Sequence, residues 1–242
     1  MASTRVTYTQ VAPTDNNKWT FSCWFKRSEL DSVQQIVTCY VDGDNLLKLQ
    51  IPADDSLHFY QWESGYTGRL QTTANFRDVG AWYHVVLVWD TDAASADRMI
   101  MYINGVRETD FQAGDVTPSS GLASIMNASG RVFELGAANS AGYFVGDMSW
   151  VQFVDGSALA PTEFGEVDST SGIWKIKTTP YATPGNNGVC LKMEDRTNLD
   201  LDSSSNAFTC TTGGTLTATY DSPSNNFATL NPLDNYYQAA TF

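Results

Sequence analysis

The chain has 242 residues, a formal net charge of −13 from 27 acidic and 14 basic side chains, and 42% hydrophobic residues. Such acidity repels a phosphate backbone and no Lys/Arg cluster offsets it, so nucleic acid is excluded as an expected partner. No apolar run is long enough to span a bilayer, and the opening MASTRVTYTQ lacks a basic-then-apolar signal, so neither membrane insertion nor secretory export is expected.

Charged residues make up only 17% of the chain, and Asp, Asn, Ser, Thr and Gly carry most of the polarity, which suits short strands joined by turns. WTFSCWFKRS (19–28) alternates, with Trp19, Phe21, Cys23 and Phe25 on one face. VQQIVTCYV (33–41) follows, then the hairpin turn Asp42-Gly43-Asp44-Asn45, then NLLKLQI (45–51). SLHFYQW (56–62) and GRLQTT (68–73) read as a second hairpin through Glu63-Ser64-Gly65-Tyr66. WYHVVLVWD (82–90) is the most apolar run and predicts a central strand covered on both faces. RMIMYI (98–103), Asn104-Gly105 and VRETDF (106–111) carry the strongest hairpin signal in the chain.

Residues 112–130, rich in Gly, Ser, Ala and Pro, read as a long surface loop. RVFELG (131–136) and YFVGDMSWVQFVD (143–155) are two more strands. The second places Phe144, Met148, Trp150 and Gln152 on one face and Val145, Val151, Phe153 and Asp155 on the other. Pro161-Thr162-Glu163-Phe164 fits one helical turn with Pro at its first position. Beyond Glu166 come short strand candidates at 173–177, 188–194 and 208–220. The last stretch, DSPSNNFATLNPLDNYYQAATF, has no periodicity and reads as a linker or wrapping arm of a chain that can continue further.

Cys23, Cys39, Cys190 and Cys210 contain no C-x-x-C pair, and only His58 and His84 accompany them, so zinc is not expected. Cys23 and Cys39 lie in neighbouring predicted strands and are either cross-strand partners or buried thiols.

Four pieces in order, WTFSCWFKRS, WYHVVLVWD, RMIMYINGV and FVGDMSWVQFVDGSAL, resemble the laminin-G-like or concanavalin A-like jelly-roll superfamily. The resemblance implies an all-β, two-sheet antiparallel jelly-roll sandwich over residues 1–166, followed by an irregular C-terminal extension over 167–242. The segments FVDGSALAPTEFGEVDSTSGIW, GNNGVCLKMED and DSPSNNFATLNPLDNYY are similar to the vocabulary of tailed-phage structural proteins. That likeness implies a virion component, assembled in the host cytoplasm and exposed on the particle exterior as a capsid decoration or a fibre or tail appendage. Other virion proteins would be its partners, and a homo-oligomer, such as a trimer, is expected from the cyclic symmetry of such assemblies.

The superfamily also contains glycoside hydrolases, which need two carboxylates about 5 Å apart in the retaining case. Glu166-Val167-Asp168 is the nearest echo, but it reads as a polar turn, and no Gly-x-Ser-x-Gly occurs. No catalytic residue and no enzymatic activity are expected. Relatives hold calcium at the sandwich rim, so Asp42 with Asp44, or Asp90 with Asp92 and Asp97, can form such a site, while solvated turn carboxylates explain them equally. No other cofactor is implied. Capture of a host surface glycan would use Tyr60, Trp62 and Tyr66, with Asn139 and Tyr143 flanking another loop. Sugar C–H faces stack on rings while hydroxyls seek polar partners.

Overall fold

The computed structural model describes residues 3–223, which form fifteen strands numbered here along the chain. Tyr83–Asp90 (β7) buries Val85, Leu87 and Trp89 on one face and His84, Val86 and Val88 on the other. A strand apolar on both faces requires a sheet that is covered on both sides. β7 lies between Lys18–Arg27 (β2) and Met99–Ile103 (β8). Val106–Arg107 (β9) continues that sheet beyond β8, and Gly146–Asp155 (β11) and Val189–Leu191 (β14) continue it beyond β2.

The facing sheet has seven strands. Its order is Thr211–Gly213 (β15), Arg5–Thr9 (β1), Val132–Leu135 (β10), Gln34–Asp42 (β3), Asn45–Ile51 (β4), His58–Glu63 (β5) and Tyr66–Gln71 (β6). Gly165–Val167 (β12) and Trp174–Ile176 (β13) make a separate antiparallel hairpin. The protein is therefore the expected all-β sandwich of two large antiparallel sheets. Its only helical pieces among the described residues are the 3-10 turns Ser95–Asp97 and Pro161–Glu163, the second starting on Pro as expected. No described helix is long and apolar enough to cross a membrane.

The core forms where the inward residues of both sheets meet. Trp19 of β2 stacks on Trp89 of β7 with centroids 6.2 Å apart, and Phe59 of the facing sheet meets both edge-on at 5.9 and 6.4 Å. Such rings dominate burial energy, so Trp19→Ala would cost about 3–5 kcal/mol. Cys23 and Cys39 both point into this core but from opposite sheets, and all four cysteines are free thiols.

Simple alternation fails in β11. A bulge shifts the register between Ser149 and Gln152, with Trp150 at φ +49°. Met148 before the bulge and Val151 and Phe153 after it all face the inter-sheet core, while Trp150 joins Trp24, Trp82, Ile176 and Cys190 on the outer side. One extra residue swaps the faces of everything that follows. The loop 112–130 also departs from a purely superficial path, since Ile125, Met126 and Asn127 are buried.

The segment after Glu166 does not stand apart from the sandwich. β14 pairs with β11 and β15 with β1, so it lengthens both sheets. Of Glu166-Val167-Asp168, expected to be a polar turn, Glu166 and Val167 lie in strand β12, and Trp174 and Ile176 of the same hairpin pack over Trp24, Trp82 and Trp150. Val86, Val88 and Ile100 are covered in turn by Phe164, Leu159 and Tyr181. The outer face of the six-stranded sheet is thereby closed. Of the expected linker or wrapping arm, 221–242, all beyond residue 223 lies outside the described residues.

Candidate functional site

The outer face of the seven-stranded sheet has no comparable layer over Lys48, Tyr60, Trp62 and Tyr66 among the described residues, although Leu46, His58 and Gln71 beside them are buried. On β5, Phe59 enters the core, so its neighbours His58, Tyr60 and Trp62 point outward; on β4, Leu47 and Leu49 enter the core, so Leu46, Lys48 and Gln50 point outward. Pairing aligns these residues into three rows. Gln35, Gln50, His58 and Gln71 form one; Glu134, Thr38, Lys48, Tyr60 and Arg69 form the next; Tyr40, Leu46, Trp62 and Tyr66 form the third.

The aromatic corner is tightly built. Tyr66 stands edge-on to Tyr60 at 5.5 Å and to Trp62 at 4.9 Å, and is 41% exposed. The hairpin tip is fixed by Ser64 at φ +54° and by the Ser64 N–H donating to the Asp44 carbonyl at 2.8 Å. Arg69 lies 5.3 Å from the Tyr66 ring centre and donates to His58 Nε2 at 3.2 Å, Gln71 Oε1 at 2.6 Å and the Ala113 carbonyl at 3.1 Å. Its N–H donors are therefore taken up inside the protein by neutral acceptors, bracing the rings from one side. Burial, and then Arg69, push the His58 imidazole down to about 4, so it is neutral near pH 7. Burial, and then Tyr66, push the Tyr60 hydroxyl up to about 12, so it remains a donor.

Tyr60, Trp62 and Tyr66 thus come together as expected, but Asn139 and Tyr143 do not join them. Both lie in the loop between β10 and β11, which folds over Glu134: the N–H groups of Asn139 and Ser140 donate to its carboxylate at 2.7 and 3.3 Å. Glu134 and Tyr60 are separated by β3 and β4, about 14 Å at ordinary strand spacing. Lys48, Gln50 and Arg69 are the residues that motif reading missed. The signal was present, because the Asp42–Asn45 turn sets β4 against β3 and period-two alternation then puts Lys48 outward.

The acidic candidates do not converge. Asp42 accepts from the Asp44 N–H at 2.8 Å and from Asn45 Nδ2 at 2.9 Å. Asp90 pairs with Lys18 at 3.5 Å, Asp92 accepts from Asn17 Nδ2 at 3.4 Å, and Asp97 pairs with Arg107 at 2.8 Å. The Asp42 turn and the Asp90 loop belong to different sheets, and among the described residues no group of three or more His, Cys, Asp or Glu is arranged to hold a metal.

Two other arrangements resemble catalytic ones without matching them. Glu166 and Asp168 share Lys175 at 3.4 and 3.1 Å. Hydrogen bonds from Ser171, then Lys175, hold Asp168 well below the ordinary carboxylate range, which leaves it no proton to donate. Ser22 Oγ lies 2.8 Å from His84 Nε2, but Trp174 donates to His84 Nδ1 at 2.9 Å. The imidazole proton is thereby placed on Nε2 and directed at Ser22, the reverse of what a general base requires. A cleft of about 570 Å³ between the edges of the sheets, lined by Phe144, Met148, Trp82 and Met193, is roofed by residues 215–223. That strap is tied down where Thr219 donates to Asp147 at 3.2 Å and Trp82 donates to Asp221 at 3.0 Å.

Two stacked antiparallel sheets agree with a profile of the concanavalin A-like lectin/glucanase superfamily that matches residues 2–163. The chain belongs to that superfamily. No curated protein matches it by sequence. Among solved structures, this member of the concanavalin A-like superfamily is similar to a heptameric SAP-like pentraxin from Limulus polyphemus, 18% identical with TM-score 0.47 over 66% of this chain and 72% of that one. Domain 4 of AbnA, an extracellular arabinanase from Geobacillus stearothermophilus in complex with arabinotriose, is 18% identical with TM-score 0.49 over 63% and 67%. Domains LG4-5 of the mouse laminin alpha1 chain are 13% identical with TM-score 0.45 over 64% and 39%.

Proposed function

We propose that this chain is a non-catalytic, lectin-like module that binds glycan on the outer face of its seven-stranded sheet. The observation that carries this reading is the outward trio Tyr60, Trp62 and Tyr66, set beside Lys48 and Gln50 on a sheet face over which the described residues lay no second layer. Rings edge-on to one another offer both a stacking surface for sugar C–H groups and rim donors for hydroxyls. The internal pairing of Glu166 and Asp168 with Lys175 supports a binding rather than a hydrolytic role.

The phage-like vocabulary of residues 153–174 and 221–237 supports a place on the exterior of a virion, where such a module would decorate a capsid or tail appendage as a homo-oligomer and meet host surface glycans. The test is calorimetric titration of the chain with a panel of host-surface oligosaccharides, alongside Trp62→Ala and Tyr66→Ala. Binding that weakens at least tenfold in both variants, with unchanged thermal unfolding, is the expected result. Absence of carbohydrate binding by the folded protein, or binding indifferent to both changes, overturns it.

A further inference from the structure

Lys48 sits at the margin of the accessible aromatic patch, between Thr38 of β3, which is buried and donates to the Ala137 carbonyl, and Tyr60 of β5. Its side chain is partly buried, yet among the described residues its ammonium makes no hydrogen bond, ion pair or ring contact. The other cations on this face are already engaged: Arg69 by His58, Gln71 and the Ala113 carbonyl, and Arg5 by Glu134 at 3.4 Å. The nearest carboxylate in its row is Glu134, two strands away at roughly 10 Å, and that one is taken up by Arg5 and two backbone N–H groups.

A partly desolvated ammonium with no counter-charge among the described residues is an uncommon thing to keep beside an accessible aromatic patch, because burial disfavours its charged form. An anion placed on it restores what dehydration removed. Its flanks favour a sugar over a bare ion, since Tyr60 lies directly opposite and Trp62 and Gln50 lie in the adjacent rows.

We infer that the glycan recognised by this face is acidic, its carboxylate or sulfate seated on the Lys48 ammonium while Tyr60 and Trp62 pack against the ring. This rests on the carbohydrate-binding reading above and narrows it to a class of ligand. The ammonium is a compact point charge and accepts either anion, unlike a guanidinium fork that prefers planar bidentate groups. The chain's overall charge of −13 does not forbid this, because exposed charges beyond about 8 Å are largely screened at physiological salt.

The experiment titrates the full chain with polygalacturonate, hyaluronate and polysialic acid against their carboxyl-reduced forms, and with a sulfated galactan against its desulfated form. At least one charged polymer is expected to bind tenfold or more tighter than its neutral counterpart. Lys48→Gln should abolish that difference, and Lys48→Arg should retain most of it. The carboxylate and sulfate arms tell the two anions apart. Equal binding of charged and neutral forms, or a Lys48→Gln variant that still discriminates, overturns the inference and leaves carbohydrate binding in place. No binding to any polymer by the folded chain overturns both. Circular dichroism and melting of each variant separate lost contact from lost fold.

Discussion

Trp174 donates its indole N–H to Nδ1 of His84 across 2.9 Å, and so pins the β12–β13 hairpin to the sheet it covers. His84 is fully buried, stacked on Trp24 at 4.6 Å, and burial pushes its imidazole down to about 3. The unfolded chain therefore binds a proton near the ordinary value of about 6.5 while the folded chain does not. Stability contributed by His84 is complete above pH 6.5 and falls as pH drops toward 3, by up to about 1.4 kcal/mol per pH unit. His58 acts in the same direction down to about 4. Urea midpoints measured at pH 7.5, 6 and 5 should fall steadily, and more gently in His84→Gln; a flat profile would contradict the buried neutral imidazole.

The same hairpin needs a gap for the Trp174 ring. A Cβ on Gly165 would lie 2.5 Å from Trp174 Cζ2, and one on Gly105, itself at φ +81° in the Asn104-Gly105 turn, 2.6 Å from Cε3. Gly165→Ala should cost about 1–3 kcal/mol through overpacking, with a shift in tryptophan emission. Gly43→Ala, whose Cβ meets nothing within 4 Å, should change stability by less than about 0.5 kcal/mol.

Arg27 and Asp55 form an ion pair at 2.8 Å in which both side chains are wholly inaccessible. Burial works to raise the Asp55 carboxyl, but hydrogen bonds from Arg27, the Asp31 N–H and Arg77 outweigh it and hold the group below the usual range. Removing Arg27 takes away the one wholly buried counter-charge of Asp55 and leaves it Arg77 and the Asp31 N–H, so Arg27→Met should destabilise by about 3 kcal/mol. Asp55 contributes stability above about pH 4 that is lost as pH falls through its lowered folded value, and Asp55→Asn should remove that part of the acid limb. Chemical unfolding at pH 7 and pH 3 checks both.

All four thiols are free, with Cys23, Cys39 and Cys190 buried and Cys210 partly accessible. Burial pushes Cys39, Cys190 and Cys210 up to about 12 and Cys23 higher still, so none is a ready thiolate at neutral pH. A thiol assay without reductant should count four groups after unfolding. In the native protein Cys210 should react first and Cys23 not at all on the same timescale.

Much of the sandwich was legible in the residues alone. Alternation in 19–28, the two-faced run 82–90 and the turns at Asp42–Asn45 and Asn104-Gly105 specify strands and hairpins through local chemistry, because side chains alternate with period two and Gly accepts positive φ at little steric cost. Tyr60, Trp62 and Tyr66 were within reach for the same reason, since they sit on one hairpin. Tertiary structure decided the rest. Whether Trp150 faced inward or outward depended on a bulge in the pairing of β11 with β2. Cys23 and Cys39 lie on strands consecutive in the chain, yet they are not cross-strand partners, since β2 and β3 enter different sheets. Which sheet face stayed open was settled by where residues 157–200 came to rest, and that depends on long-range burial of Trp174, Ile176 and Phe164 that no local pattern encodes. Lys48 became an anchor candidate only when its neighbours across two strand boundaries proved to carry no charge to meet it.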